Sequence, residues 1–207
     1  MKEQFEKFIS ECPIVAILRG ITTPEVPAVF DALMEAGIRI LEIPLNSPDA
    51  LKSIAAAAEH CKGKAAVGAG TVLSVEDVNA VFNAGGRFII SPNTDSDVIR
   101  ETKKLNMLSI PGFFTPTEGF EAVRSGADYL KLFPACLGPS YVKDLKAVIK
   151  TPILAVGGVN AANIPDFMKV CCGVGVGSAL YTAGKSIEDI KRDAEITVKS
   201  VKENQKK

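Results

Sequence analysis

Residues 129–139 read YLKLFPACLGP, a short apolar run of strand type that ends in proline and glycine and carries one lysine, Lys131, inside it. Lysine is almost never fully buried without a partner or a task, so this stretch poses a structural question and a chemical one. Similar runs recur along the chain: VAILRG from Val15, ILEIPL from Ile40, AAVGAGT from Ala65, FIISPN from Phe88, LSIPGFF from Leu108, ILAVGGV from Ile153 and VGVGSAL from Val174. Together they make eight candidate strands, apolar on both faces, as a parallel sheet covered by helices requires.

Between the strands lie amphipathic segments with readable limits. Thr23-Pro24-Glu25, Ser47-Pro48-Asp49, Ser74-Val75-Glu76-Asp77 and Thr115-Pro116-Thr117-Glu118 are helix starts, each a hydroxyl followed by proline or acidic residues. Gly37, Gly85 and Gly126 stand where left-handed residues end helices. Val26, Val29, Phe30, Leu33 and Met34 share one helix face, and Tyr141, Val142, Leu145, Val148 and Ile149 share another; both are core stripes. Eight strand–helix units of about 25 residues come to roughly 200, enough to close a barrel. The expected fold class is therefore an α/β (β/α)8 TIM barrel with an extra N-terminal helix, one domain over residues 1–207. Met1–Cys12 covers the barrel bottom and KENQKK forms a frayed tail. An open doubly wound sheet is the competing architecture, but it lacks its first-turn G-x-G-x-x-G.

The 24 Lys plus Arg balance 24 Asp plus Glu, so no global field draws the chain to nucleic acid or to an anionic membrane, and an anionic ligand must be held locally. Five cysteines without a C-x-x-C pattern suit reduced thiols, and no apolar run is long enough to span a bilayer; a cytoplasmic location is expected. The one histidine, His60, reads as a surface helix residue, and a metal site built on several imidazoles is excluded.

Barrel active sites sit at the C-terminal strand ends, which puts Arg19, Glu42, Thr71 and Lys131 around one pocket. Burial lowers a lysine's pKa, and a free amine near neutral pH attacks carbonyls. Lys131 is thus a candidate Schiff-base former, or else a lysine whose stem packs while its head reaches water or a carboxylate. Glu42, between apolar residues, is a candidate general acid/base with a raised pKa, or the partner of Arg19 in an ion pair. The glycines of AVGGVNAAN (Gly157, Gly158) and of GVGVGSALY (Gly173, Gly175, Gly177, beside Ser178) fall after the last two strands, where barrels often cradle a phosphate. Pro92-Asn93 and Pro111-Gly112 end their strands and shape the rim, and Cys136 reads as a small packing residue.

AILRGI, LEIPLNSP, GAGTVL, SPN, LKLFPA, AVGGV and GSALYTAG, in this order from Pro13 to Gly184, resemble the class I aldolases that cleave 2-keto-3-deoxy-6-phospho-sugar acids. The resemblance implies that Lys131 forms the Schiff base and that Glu42 shuttles protons. Arg19 and Thr71 would hold the pyruvyl carboxylate, and Gly158, Gly177 and Ser178 the terminal phosphate. Val156 and Gly157 would line the substrate between them. It further implies a phosphorylated keto sugar acid as substrate, pyruvate and glyceraldehyde 3-phosphate as products, no metal or other cofactor, and a homotrimer. Asn46 stands where the gluconate-type members carry arginine, and Val156 where they carry threonine, which favours the galactonate-type branch; the alternatives are the gluconate-type branch, some of whose members also split 4-hydroxy-2-oxoglutarate, and a non-catalytic sugar-phosphate-binding barrel.

Overall fold

The computed structural model describes residues 2–205, with side chains described through Lys202. Its strands are β1 (Ile14–Ile17), β2 (Ile40–Pro44), β3 (Ala66–Gly70), β4 (Phe88–Ile90), β5 (Leu108–Ile110), β6 (Gly112–Phe113), β7 (Leu130–Leu132), β8 (Ile153–Val156) and β9 (Gly173–Val176). They form one sheet in the order β5-β4-β3-β2-β1-β9-β8-β7-β6, parallel at every pairing. β5 and β6 sit at opposite ends of that order yet are separated in sequence by Pro111 alone, so the sheet closes on itself through this residue.

The eight expected strands are thus nine, because LSIPGFF is split where proline has no N–H to give the ladder. Pro111 and Gly112 do not end the strand as expected: it resumes at Gly112. The carbonyls on either side keep the seam continuous, Ser109 O accepting from Tyr129 N at 3.3 Å, Pro111 O from Lys131 N at 2.9 Å and Phe113 O from Phe133 N at 3.1 Å. The backbone of Lys131 is therefore fastened at the point where the ring closes.

Helices α1 (Lys2–Glu11), α2 (Val26–Glu35), α3 (Ala50–Cys61), α4 (Val75–Asn83), α5 (Ser96–Lys104), α6 (Pro116–Ser125), α7 (Gly138–Val148), α8 (Ile164–Phe167) and α9 (Ile187–Gln205) alternate with the strands, α1 preceding the first. α1 plugs the bottom: Phe5, fully buried, packs edge-on against Phe88 at 5.6 Å and beside Tyr129 at 5.3 Å between ring centroids. Val15, Ile40, Phe88, Leu108 and Leu154 fill the barrel above it, while Ile14, Leu41, Val67 and Val174 face the helix layer. This alternation sends Glu42 and Lys131 inward with the first set.

Ser74 and Thr115 cap α4 and α6, the latter in a reciprocal box with Glu118, and Gly37, Gly85 and Gly126 have φ of 101°, 92° and 102°. Thr22 and Glu25 box a single 3-10 turn, Thr23–Glu25, before α2 begins at Val26. Ser47 is no cap: α3 starts from Asp49, and the Ser47 hydroxyl instead accepts the Gly20 N–H at 2.9 Å, tying the first two loops of the upper face together. The α2 stripe is buried except for the partly covered Met34. In α7, Val148 departs from its stripe at 58% exposed, because the chain turns extended at Ile149 and that side chain takes the buried place. His60 lies on α3 with Nε2 2.7 Å from Asp31 on α2. The expected frayed tail is helical through Gln205; Met1, Lys206 and Lys207 lie outside the described residues. No helix of the described residues is long and apolar enough to cross a membrane.

Candidate active site

At the C-terminal ends of the strands opens a cavity of about 610 Å³ lined by Arg19, Glu42, Thr71, Lys131, Val156, Gly157, Gly158, Gly177 and Ser178; Gly175 also lines it, whereas Gly173 and the expected rim residues Asn93, Pro111 and Gly112 do not. Glu42 is 2% and Lys131 7% exposed, the two charged side chains among the buried polar residues. Around and beneath them stand Val15, Ile17, Ile90, Ile110, Leu154 and Val156. Burial raises the Glu42 carboxyl above the usual carboxylate range, with Lys131 and then Arg19 pulling it back. Burial likewise lowers the Lys131 ammonium, Glu42 opposing and Arg19 reinforcing. Each charge is thereby held toward its neutral form.

The expected Glu42–Arg19 ion pair is not formed among the described residues. Arg19 turns its guanidinium to Asn46 Oδ1, at 2.5 Å, and not to Glu42, whose Oε2 is buried without a hydrogen-bond partner. Among the described residues the Lys131 ammonium forms no ion pair with a carboxylate, and it lies 4.6 Å from the centre of the Phe133 ring. A buried acceptor left open opposite an amine leaves space for a third, polar participant.

The backbone around them is specialised. A Cβ at Gly70 would overlap the Glu42 carboxyl, so the β3 end is glycine because that volume belongs to the glutamate. Thr71, next in the chain, has φ of 57°, a conformation β-branched residues rarely adopt. Gly157 and Gly158 follow β8 with φ of 97° and 74°. Beyond β9, the N–H groups of Leu180 and Tyr181 both reach Gly177 O at 2.8 and 2.9 Å, making a single turn at the cavity wall. Among the described backbone bonds, the N–H groups of Gly158, Ser178 and Ala179 find no acceptor in the chain, and all three residues line the cavity. N–H groups without an acceptor, on two loops that line one cavity, suit an anion such as phosphate.

Sequence reading missed part of the wall. Pro92 lies there as expected of a rim residue, but Phe133, Asn160, Tyr181 and Thr182 line it as well; each sits inside or beside a quoted motif, yet an uncharged side chain in a motif does not stand out as a buried charge does. Cys136 is exposed, not packed, because the segment after β7 runs over the surface.

The family described as KDPG and KHG aldolase matches residues 5–197. The 2-dehydro-3-deoxy-6-phosphogalactonate aldolase of Escherichia coli K12 is 43% identical over 198 residues, 94% of this chain and 97% of that one. The KHG/KDPG aldolase of the same organism is 27% identical over 191 residues, 90% and 89% of the two chains. A solved structure, described as native KDPGal, superposes with a TM-score of 0.92 at 43% identity, covering 94% of this chain and 97% of its own. With a barrel, a buried lysine–glutamate couple and a match along nearly its whole length, the chain belongs to the KDPG and KHG aldolase family.

Proposed function

We propose that this protein is a class I aldolase that cleaves 2-dehydro-3-deoxy-6-phospho-D-galactonate to pyruvate and D-glyceraldehyde 3-phosphate, acting as a cytoplasmic homotrimer. One observation carries the reading: an amine held toward its neutral form and a carboxylic acid held toward its protonated form share an apolar barrel mouth without neutralising each other. The galactonate assignment is supported by the 43% identity to the phosphogalactonate enzyme against 27% to the KHG/KDPG enzyme.

The Lys131 amine attacks the C2 carbonyl, and Glu42 donates the proton with which the carbinolamine loses water, leaving an iminium. The C3–C4 bond then breaks with its electron pair moving into the enamine, while the C4 hydroxyl passes its proton to the Glu42 carboxylate and becomes the aldehyde carbonyl. Glu42 returns that proton to C3, and water hydrolyses the iminium to pyruvate and free Lys131. Arg19, steadied by Asn46, and Thr71 hold the pyruvyl carboxylate. Val156 and Gly157 flank the chain of the substrate, and Gly158, Gly177 and Ser178 take the phosphate at the far end.

Retro-aldol turnover on the two pure 4-epimers tests the substrate. The galactonate compound is expected to react with a kcat/KM higher by roughly tenfold or more; equal rates would remove the selection assigned to Asn46 and Val156. Gly70→Ala tests the packing of the base: displacing the Glu42 carboxyl is expected to lower kcat on the order of 100-fold, and a variant with wild-type kcat would refute the close approach as a requirement.

A further inference from the structure

The loop after β8 holds a backbone donor that neither the motifs nor the proposed mechanism uses. Val159 is 6% exposed and lines the cavity, yet among the described backbone bonds its N–H has no acceptor in the chain. An N–H without an acceptor in the chain, on a residue that lines a cavity, is open to a ligand or water oxygen. Its direction is set by the carbonyl across the same peptide. Gly158 O accepts from Asn163 Nδ2 at 2.9 Å and from Asn160 Nδ2 at 3.4 Å. The two amides are themselves locked, since Asn163 Oδ1 accepts the Asn160 N–H and Asn160 Oδ1 accepts the Ala162 N–H, each at 2.9 Å. These bonds leave no choice in the amide orientations, because a carbonyl needs a donor and an N–H an acceptor.

A trans peptide is planar, with C=O and N–H pointing opposite ways. Drawing Gly158 O toward the asparagines therefore turns the Val159 N–H the other way. At φ of 97° and 74°, the two glycines before it give this peptide freedom to rotate, so the glycines alone do not hold that direction. We propose that Asn163, assisted by Asn160, is a positioning residue for the phosphate subsite, and that the Val159 N–H it orients is a further donor to the substrate's phosphate. The inference rests on the aldolase reading for the identity of the anion; the clamp itself follows from the hydrogen bonds.

The test measures the aldol direction with pyruvate and two acceptors, D-glyceraldehyde 3-phosphate and unphosphorylated D-glyceraldehyde. In Asn163→Ala, KM for the phosphorylated acceptor is expected to rise about tenfold, the order lost with a hydrogen bond to a charged group, with kcat/KM for the unphosphorylated one and borohydride trapping of pyruvate on Lys131 unchanged. Asn163→Asp keeps the acceptor for the Asn160 N–H but removes the donor to Gly158 O, so a purely local structural role predicts a normal phosphorylated-to-unphosphorylated ratio and the positioning role predicts a lowered one. An unchanged ratio in both variants overturns the proposal. Should neither variant fold, amide NMR of the wild-type protein titrated with inorganic phosphate decides: a downfield shift at Val159 supports the donor, and a shift confined to other amides refutes it. Absence of pyruvate trapping in the wild type would instead sink the aldolase reading, so the two failures are distinguishable.

Discussion

Lys131→Ala is expected to lower retro-aldol turnover by on the order of 10⁴-fold or more, as removal of a covalent nucleophile does, and to abolish borohydride trapping of pyruvate. No neighbour can replace it. Among the described charged groups only Glu42 and Lys131 are buried in the cavity, and Arg19 is committed to Asn46. Lys131→Arg is expected to fail equally, since a guanidinium stays protonated and cannot form an iminium. A wild-type adduct at another lysine, or turnover surviving in Lys131→Ala, would overturn the mechanism.

Glu42→Gln is expected to lower kcat by roughly 10²–10⁴-fold, the range of a general acid/base, while making the protein more stable at neutral pH. Burial raises the carboxyl's pKa in the folded state above the unfolded value of about 4.3. Between those two values the folded chain binds more protons than the unfolded one, so stability falls as pH rises through the window. Glutamine has no proton to lose, can donate from its amide, and removes that slope. Relief of a buried negative charge whose oxygen has no partner is worth roughly 1–3 kcal/mol, or several degrees in Tm for a chain of this size. Melts at about pH 4 and about pH 7 are expected to show the gap between variant and wild type widening toward neutral pH. A variant no more stable than wild type at either pH would mean that the carboxylate is better compensated than its surroundings indicate. The wild type thus carries a stability cost at the position that moves protons.

The site was legible wherever a charge interrupted an apolar run. Glu42 in ILEIP and Lys131 in YLKL stand out because burying them is costly, and period-two alternation aims both inward once the runs are strands. What stayed hidden depended on contacts that only the folded backbone makes, two of the three between loops distant in the chain. Ser47 reads locally as a cap and binds Gly20, Arg19 reads as a partner for Glu42 and binds Asn46, and nothing in GGVNAAN says that two asparagine amides grip one carbonyl. The division at Pro111 was equally unreadable, because proline's missing N–H matters only once it is known which neighbour strand would have accepted it.

By itself, then, the sequence determined the alternation of strands and helices, the closure count of the barrel, the plug helix and the two buried ionisable groups, since periodicity, caps and the cost of burying charge are properties of local sequence. The tertiary structure alone decided how those groups are left: a lysine over an aromatic ring, a carboxyl oxygen without a partner in space kept free by Gly70, and backbone donors without acceptors in two loops that line one cavity. The carboxyl's setting and the shared cavity depend on segments distant in sequence, and the lysine–ring contact on how the end of β7 turns; neither is a property of residue type or periodicity.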